Sequence, residues 1–502
     1  MIVIWQNEHP MVSAKLNKTF HEVRMMSKPG FARWAEDVRQ YLGECAEQGI
    51  PTHNGTSLAE VESDLRKLAA HSTNSIFQID SETYAKEIIV PDARCGAFLR
   101  CIFTNMQLSG DGNFNGRSIV DFLADATLAT RWADLFERNV KRDSLYVFSS
   151  VLRTGQPLDL GAEDGREWID LFRERYGAEL EFWAEAVEAA PKSGELSLSP
   201  SELDSLRRSG VIASKQIVNV IGARTKSYRL RTYHRSDRIF PTYFSIIRKS
   251  LVMAGSNFSP LIAKGLYHHF TEHLREQGRE IIIFDPSAGY GGRCLGALAA
   301  SNDRPIRYIG TDPNSTNWLS INRSRYDEVA DLYRATISQK YETAISVFQL
   351  GSEVIDERPE FQRYRGKIDL VFTSPPYFRA EIYCKEATQS AIKFRTYPEW
   401  REGFLRRTLK TCADYLRPGG YILWNIADIS IKGKYVPLEQ DSIQALTEFG
   451  LIYERKLKML LSTGPGACRT EQGMPVTKNS VMHNGKLRKY EPIFVFRKPH
   501  VH

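Results

Sequence analysis

The chain has no run of eighteen apolar residues, which excludes a membrane-spanning helix on length alone. It opens on Met1-Ile2-Val3-Ile4-Trp5 and turns polar at Gln6, too soon for a signal peptide, so a cytoplasmic location and no membrane partner are expected. Cysteine is sparse: seven in 502 residues, at positions 45, 95, 101, 294, 384, 412 and 468, with no CxxC pair and no metal-ligand spacing. That pattern excludes a disulfide framework and leaves reduced thiols. The segment at 108–116, rich in Gly and Asn, lacks the acidic ligands of a calcium loop, and no metal is expected. A strong charge excess is missing too, since a net +7 over this length permits a polyanionic partner without requiring one. Core material is present in ordinary amount, 42% hydrophobic, enough for on the order of two or three domains.

The most informative segment follows the apolar run Ile368-Asp369-Leu370-Val371-Phe372, where Thr373-Ser374-Pro375-Pro376-Tyr377-Phe378 reads as a stiff loop closing a buried strand. The serine and adjacent carbonyls can accept N–H bonds, and the tyrosine face can stack on a planar ring. The plain alternative is a Pro-Pro turn with an exposed tyrosine. Upstream, Glu280-Ile281-Ile282-Ile283-Phe284 reads as a strand, followed by Asp285-Pro286-Ser287-Ala288-Gly289-Tyr290-Gly291-Gly292-Arg293 and an apolar helix from Cys294. Strand, glycine loop and helix N-terminus together suit close backbone approach to a ligand. The loop has neither G-x-G-x-x-G spacing nor a Lys-Ser/Thr pair, which argues against a dinucleotide or triphosphate. A second strand, Ile306-Arg307-Tyr308-Ile309-Gly310, ends at Thr311-Asp312, where an acidic side chain is placed to take ribose hydroxyls; an Asp-Pro turn is the plain alternative.

These segments resemble the S-adenosylmethionine-dependent methyltransferases that modify amino groups of DNA bases, adenine N6 or cytosine N4. Phe284 to Gly292 resembles that family's cofactor loop, Ser374-Pro375-Pro376-Tyr377 its catalytic loop, and Ser256-Asn257-Phe258-Ser259-Pro260 its N-terminal cofactor motif. The resemblance covers about 257–497, close to half of the chain. It implies S-adenosyl-L-methionine as cofactor, with Asp285 and Gly289 bracketing its methionine part, Phe258 packed near it, Pro260, Phe284, Ser287 and Gly291 also in contact with the cofactor, Asp312 on its ribose, and Ser352 and Glu353 near its adenine. For Ser352 and Glu353 a helix cap is an equal reading. Ser374 and the Pro375 carbonyl would orient the target amine, with Pro376 stiffening the loop and Tyr377 stacked on the base. Direct transfer needs acceptors for the amine hydrogens rather than a strong base, which agrees with serine at 374. Methylating a ring carbon would call for a thiolate in a Pro-Cys loop, and the chain has no Pro-Cys dipeptide. The implied partner is duplex DNA with a flipped base, with a cognate endonuclease as a further candidate. Adenine N6 is favoured over cytosine N4; an RNA or unusual base amine is the alternative, and an inactive nucleic-acid-binding protein a more distant one.

The fold class expected is α/β, a seven-stranded doubly wound methyltransferase sheet, Rossmann-like, with strands near 281, 306, 344, 368, 420, 451 and 492, preceded by a mostly helical N-terminal region. Three segments are expected: 1–195, helical and assigned target recognition; 196–250, a basic connector; and 251–502, the methyltransferase domain. Helical periodicity is clear at 31–49 and 57–71, and is expected at 118–138 and 164–190. A helix-turn-helix over 199–221 is one reading of that stretch, and Arg231 and Arg235 in the basic run 224–238 are expected on phosphates. Phe378, Glu381 and Tyr383, where cations and aromatics interleave, are expected on the substrate side; a solvated linker is the plain alternative. The stretch 462–490, basic and Gly-Pro-Gly-containing, is expected to be a mobile loop facing nucleic acid; a disordered surface excursion is the plain alternative. The sheet's second half fills the chain after the catalytic loop, so target recognition is placed in the N-terminal half and in 462–490.

Overall fold

The computed structural model of the chain describes part of 26–40, then 58–103, 108–109, 253–254 and 257–500, less 92, 381, 384–385, 432–433, 462–469, 472–473, 476–478 and 485. Arg231, Arg235 and Glu381, the helices expected at 118–138 and 164–190 and the helix-turn-helix at 199–221 lie outside the described residues. Those described fall in two compact units, one gathering 58–109 with 253–500, the other holding the residues between 26 and 40. Residues 58–103 therefore go with the sheet, not with a separate segment ending at 195.

In chain order the sheet-bearing unit contains helix α1 (Leu58–Ala70), strands β1 (Phe77–Gln78) and β2 (Ile88–Ile89), helix α2 (Pro260–Thr271), strand β3 (Ile281–Asp285), helix α3 (Gly292–Ala300) and strand β4 (Ile306–Thr311). Then come helix α4 (Arg325–Thr336), strands β5 (Ala344–Phe348) and β6 (Ile368–Thr373), helix α5 (Arg407–Tyr415), strand β7 (Leu416–Asn425), helix α6 (Leu438–Glu448) and strands β8 (Ile452–Leu460), β9 (Ser480–His483) and β10 (Lys486–Arg497). The sheet order is β1-β2-β8-β10-β7-β6-β3-β4-β5, with β9 paired to β10. From β5 to β7 every pairing is parallel, and β10 is antiparallel to both β7 and β8. All seven expected strands are present in a doubly wound α/β sheet. Its central strands read as continuous apolar runs because both faces are covered. Ile281 and Ile283 enter one core with Leu266, Leu298 and Tyr326 from α2, α3 and α4. Phe284 and Val371 enter the other, with Leu409 and Leu446 from α5 and α6.

Local chemistry sets the helix ends. Ser259 caps α2 through the Ile262 N–H, with Pro260 at its first position, and Ser324 and Asp327 form a reciprocal capping box on α4. The helical stretch from Tyr397 to Tyr415 opens into a wider π turn over Arg401–Arg406. The Pro418-Gly419-Gly420 turn appears as an irregularity of β7, where its pairing with β6 jumps from Ile368–Leu416 to Leu370–Tyr421.

The N-terminal region, expected mostly helical, is not without strands: β1 and β2 extend the sheet, and β2 runs parallel to β8. Docking is reinforced by Lys264, whose buried ammonium donates to the Leu68, Ala69 and His71 carbonyls at 3.0, 2.9 and 2.9 Å, closing the C-terminal end of α1. Burial lowers that lysine's pKa to about 8. Nor is the end of 462–490 a free loop: β9 and the start of β10 form a hairpin with Ser480 opposite Lys489 and His483 opposite Lys486. Asn484 sits at its turn with φ +49 in the left-handed region, and the Asn484-Gly485 dipeptide is the hairpin signal that explains it. No helix among the described residues is long and apolar enough to cross a membrane.

Helices α2 and α3 cross at Gly296, where an added Cβ would lie 2.5 Å from the Ala263 Cβ and 2.9 Å from the Pro260 carbonyl oxygen. Gly296→Ala is therefore expected to lower unfolding stability by about 1–3 kcal/mol through overpacking, although alanine is the better helix former by about 1 kcal/mol. Urea denaturation measures this, and an unchanged or raised midpoint contradicts it.

Candidate active site

The order of the parallel strands reverses between β3 and β6: β4 and β5 lie beyond β3, and β7 lies beyond β6. A crevice opens at the carboxyl ends of strands where such a reversal occurs. A cavity of about 380 Å³ lies there, lined by Ser287 and Gly289 after β3, Asp312 after β4, Ser352 and Glu353 after β5, Ser374, Pro376 and Tyr377 after β6, and Asn425 at the end of β7. Each parallel strand thus delivers its following loop to one place, and Phe258 and Tyr383 join the same lining.

Other expected residues lie nearby without lining the cavity. Asp285 is fully buried beneath the loop, accepting from Arg293 Nε at 2.8 Å, Tyr308 OH at 2.6 Å, Thr373 Oγ1 at 2.7 Å and the Ser287 N–H at 3.2 Å. Phe284 belongs to the core on the α5 face. Pro260 is buried in the first turn of α2, and Pro375 is buried within its loop. Gly291 takes φ +77, and a Cβ there would meet the Phe103 ring at 2.6 Å. Phe378, with φ +47, turns into the core against Tyr397 and Trp400 at ring separations of 5.7 and 5.6 Å, rather than toward a ligand. A left-handed backbone in a bulky residue is strained and is held here by that packing.

The glycine loop is clasped from both sides. Asn257 Nδ2 donates to the Tyr290 carbonyl at 2.6 Å, and Arg293 donates to the Ser287 carbonyl while its guanidinium stacks on Phe258 at 5.6 Å. Asp312 accepts from the Asn314 N–H at 2.9 Å, Tyr326 OH at 3.0 Å and Asn317 Nδ2 at 3.1 Å. Burial pushes its carboxyl up to about 6, against these hydrogen bonds, which favour the anion.

Beside this end of the cavity, Glu353 Oε1 pairs with Lys393 Nζ at 2.8 Å, and Ser352 Oγ lies 2.9 Å from Thr408 Oγ1. At the other end the phenol of Tyr377 donates to Glu491 Oε1 at 2.6 Å. Burial raises the Glu491 pKa, opposed by hydrogen bonds from Tyr377 and Asn425.

Three buried polar atoms of lining residues have no hydrogen-bond partner: Glu353 Oε2, Gln389 Nε2 and Asn425 Oδ1. Such a group costs about 1–3 kcal/mol, and a polar ligand is one agent that satisfies it. Gln389, Asn425, Glu491 and Arg293 were not picked out from the sequence. Asn425 did carry a signal, as the polar residue ending the apolar run of β7, whereas Gln389 reaches the cavity from a segment with no motif.

Residues 368–502 match the DNA methylase family of N6 and N4 type. The match begins at β6 and takes in the Ser374–Tyr377 loop, β7 and β10. No curated protein matches the chain. Among solved structures, the chain is similar to a candidate DNA modification methylase from Thermus thermophilus, solved with S-adenosyl-L-methionine, at 20% identity and TM-score 0.20 over 30% of this chain and 54% of that one. It is also similar to TrmN from Thermus thermophilus, at 13% identity and TM-score 0.26 over 48% of each chain. A third likeness is to the Burkholderia thailandensis 1,6-didemethyltoxoflavin-N1-methyltransferase, at 11% identity and TM-score 0.26 over 47% of this chain and 77% of that one. This chain spans about half the length of the two Thermus thermophilus proteins, and at such scores these likenesses carry no weight for the site.

Asp285 joins β3, β4, β6 and α3 through a buried ion pair and two hydroxyl donors. Removing one partner of a buried pair leaves the other uncompensated, so Asp285→Asn is expected to cost about 3–5 kcal/mol of stability. Chemical denaturation reads this out, and a native-like midpoint would show that the network is not structural.

Proposed function

We propose that this chain is an S-adenosylmethionine-dependent methyltransferase acting on the exocyclic amino group of a DNA base, with adenine N6 favoured over cytosine N4. The observation that carries the reading is the 2.7 Å hydrogen bond from Thr373 Oγ1 to Asp285, which fixes the Ser-Pro-Pro-Tyr loop beside the glycine loop over one shared cavity. The DNA methylase match over 368–502 supports it from the sequence side. The donor set fits the cofactor: Asp312 offers a carboxylate to ribose hydroxyls, while Glu353 Oε2 and Gln389 Nε2 offer an unfilled acceptor and donor to the adenine end. Gly289 and Ser287, backed by buried Asp285, line the methionine end with Phe258. When bound, the cofactor supplies a methyl group on a positively charged sulfur.

The chain's own residues prepare the acceptor. An aromatic amine delocalises its lone pair into the ring, so its nitrogen gains nucleophilicity when its hydrogens are held by fixed acceptors. Ser374 Oγ and the Pro375 carbonyl provide them, Pro375 and Pro376 hold the loop still, and the Tyr377 ring stacks on the base. The partner of this reading is duplex DNA with a flipped base, and a cognate endonuclease remains a candidate within it.

Labelled S-adenosylmethionine should transfer its methyl to unmethylated genomic DNA but not to total RNA, and digestion to nucleosides should give N6-methyladenine by mass. Ser374→Ala should lower this transfer by about 10²-fold while leaving cofactor affinity intact. Label confined to RNA, or appearing as 5-methylcytosine, contradicts the proposal. Cofactor affinity should also depend on pH through Asp312. A carboxyl raised to about 6 is anionic above that value and protonated below it. Ribose hydroxyls bind the anion better, so affinity should be constant above pH 7 and fall by up to about tenfold per pH unit below 6. Calorimetric titration at pH 5 to 8 measures this, and Asp312→Asn should flatten the profile.

A further inference from the structure

Glu491 and Asn425 are buried polar groups of the cavity to which the reading above gives no role. The sheet brings them together: β7 and β10 are antiparallel neighbours with Asn425 opposite Ile493. Asn425 Nδ2 donates to the Pro492 carbonyl at 2.9 Å, which fixes the amide's orientation, because turning it over would set two acceptors face to face. Its Oδ1 is left buried and without a partner in a side chain that lines the cavity. Glu491, also in the lining, accepts the Tyr377 phenol at 2.6 Å, and that phenol lies 3.4 Å from the main-chain carbonyl oxygen of Asn425.

A tyrosine ring is free to turn about two torsions unless something holds its far end. The hydroxyl is the point most distant from the backbone and lies on the ring's own axis, so one bond there fixes the direction of that axis, while the packing around the ring sets its plane. Proline stiffness secures the near end of the same side chain. Tyr377 is thus held at both ends, in a residue that lines the cavity.

We propose that Glu491 and Asn425 form a second polar wall of the target-base pocket. Glu491 is a positioning residue that anchors the ring axis of Tyr377 through its phenol, and Asn425 Oδ1 accepts an N–H from the base. The substrate is then a planar nucleobase whose amino group meets acceptors from both the Ser374 loop and the end of β7. This rests on the methyltransferase reading and deepens it by naming further residues that hold the base.

The test uses the full chain with Tyr377→Phe, Glu491→Ala, their double variant, Glu491→Gln and Asn425→Ala. Cofactor Kd is measured by calorimetric titration, and kcat and KM on unmethylated genomic DNA. Tyr377→Phe and Glu491→Ala should each lower kcat by about tenfold, and the double variant should lose no more than the worse single one, because both remove the same bond. Glu491→Gln keeps an acceptor oxygen and should recover most of the loss. Asn425→Ala should also lower kcat by about tenfold, with cofactor Kd within about twofold in every variant. Losses that multiply in the double variant, full turnover in Glu491→Ala or in Asn425→Ala, or cofactor affinity falling in step with turnover would overturn the inference alone. An unaltered protein that binds the cofactor yet methylates neither DNA nor RNA would overturn the methyltransferase reading together with it.

Discussion

The Asp285 carboxylate sits at the end of β3 out of reach of solvent and takes hydrogen bonds from Thr373, Tyr308 and Arg293, so the ends of β6 and β4 and the first turn of α3 share one charge. A buried carboxylate is tolerated only when paired and fully hydrogen-bonded. Here the requirement acts as a constraint on architecture: the carboxyl ends of β3 and β6 must stay level, and β4 must hold its register with β3, for the donors to reach it. Arg293 carries the constraint outward, reaching back to the Ser287 carbonyl and stacking on Phe258. The two loops of the cavity are thereby held in register at their roots.

Close approach of backbone to backbone is the second constraint. Gly292 faces the Phe258 carbonyl so closely that a Cβ would lie 2.1 Å from it, and Gly291, in the left-handed region, lies under the Phe103 ring. The segment around Phe103 therefore covers the glycine loop, and Pro91 joins the cavity lining. Residues that precede the sheet's first central strand by some two hundred positions thus belong to the site's surroundings.

The central strands could be read from the sequence because each is a continuous apolar run that both faces bury. The strand-loop-helix at 281–300 and the Ser-Pro-Pro-Tyr segment could be read because their chemistry is contiguous. The short strands at 77–78 and 88–89 could not, since two-residue strands leave no periodicity to detect. The basic composition of 462–490 drew attention away from Asn484-Gly485, which makes a hairpin of its end. Phe378 is expected on the substrate side because cations and aromatics interleave in its segment, but its left-handed backbone turns it into the core.

The sequence alone determined the kind of sheet, the position of its loops and the residue types those loops carry, because apolar periodicity and short motifs are local properties. Tertiary structure alone decided which of those residues face the cavity and which serve beneath it. Asp285 and Asp312 both follow buried strands, yet one is saturated under the loop and the other lines the cavity. Glu491 and Asn425 lie 66 positions apart and meet only because β7 and β10 pair antiparallel. Contacts of that range depend on strand order and register, which no local pattern encodes.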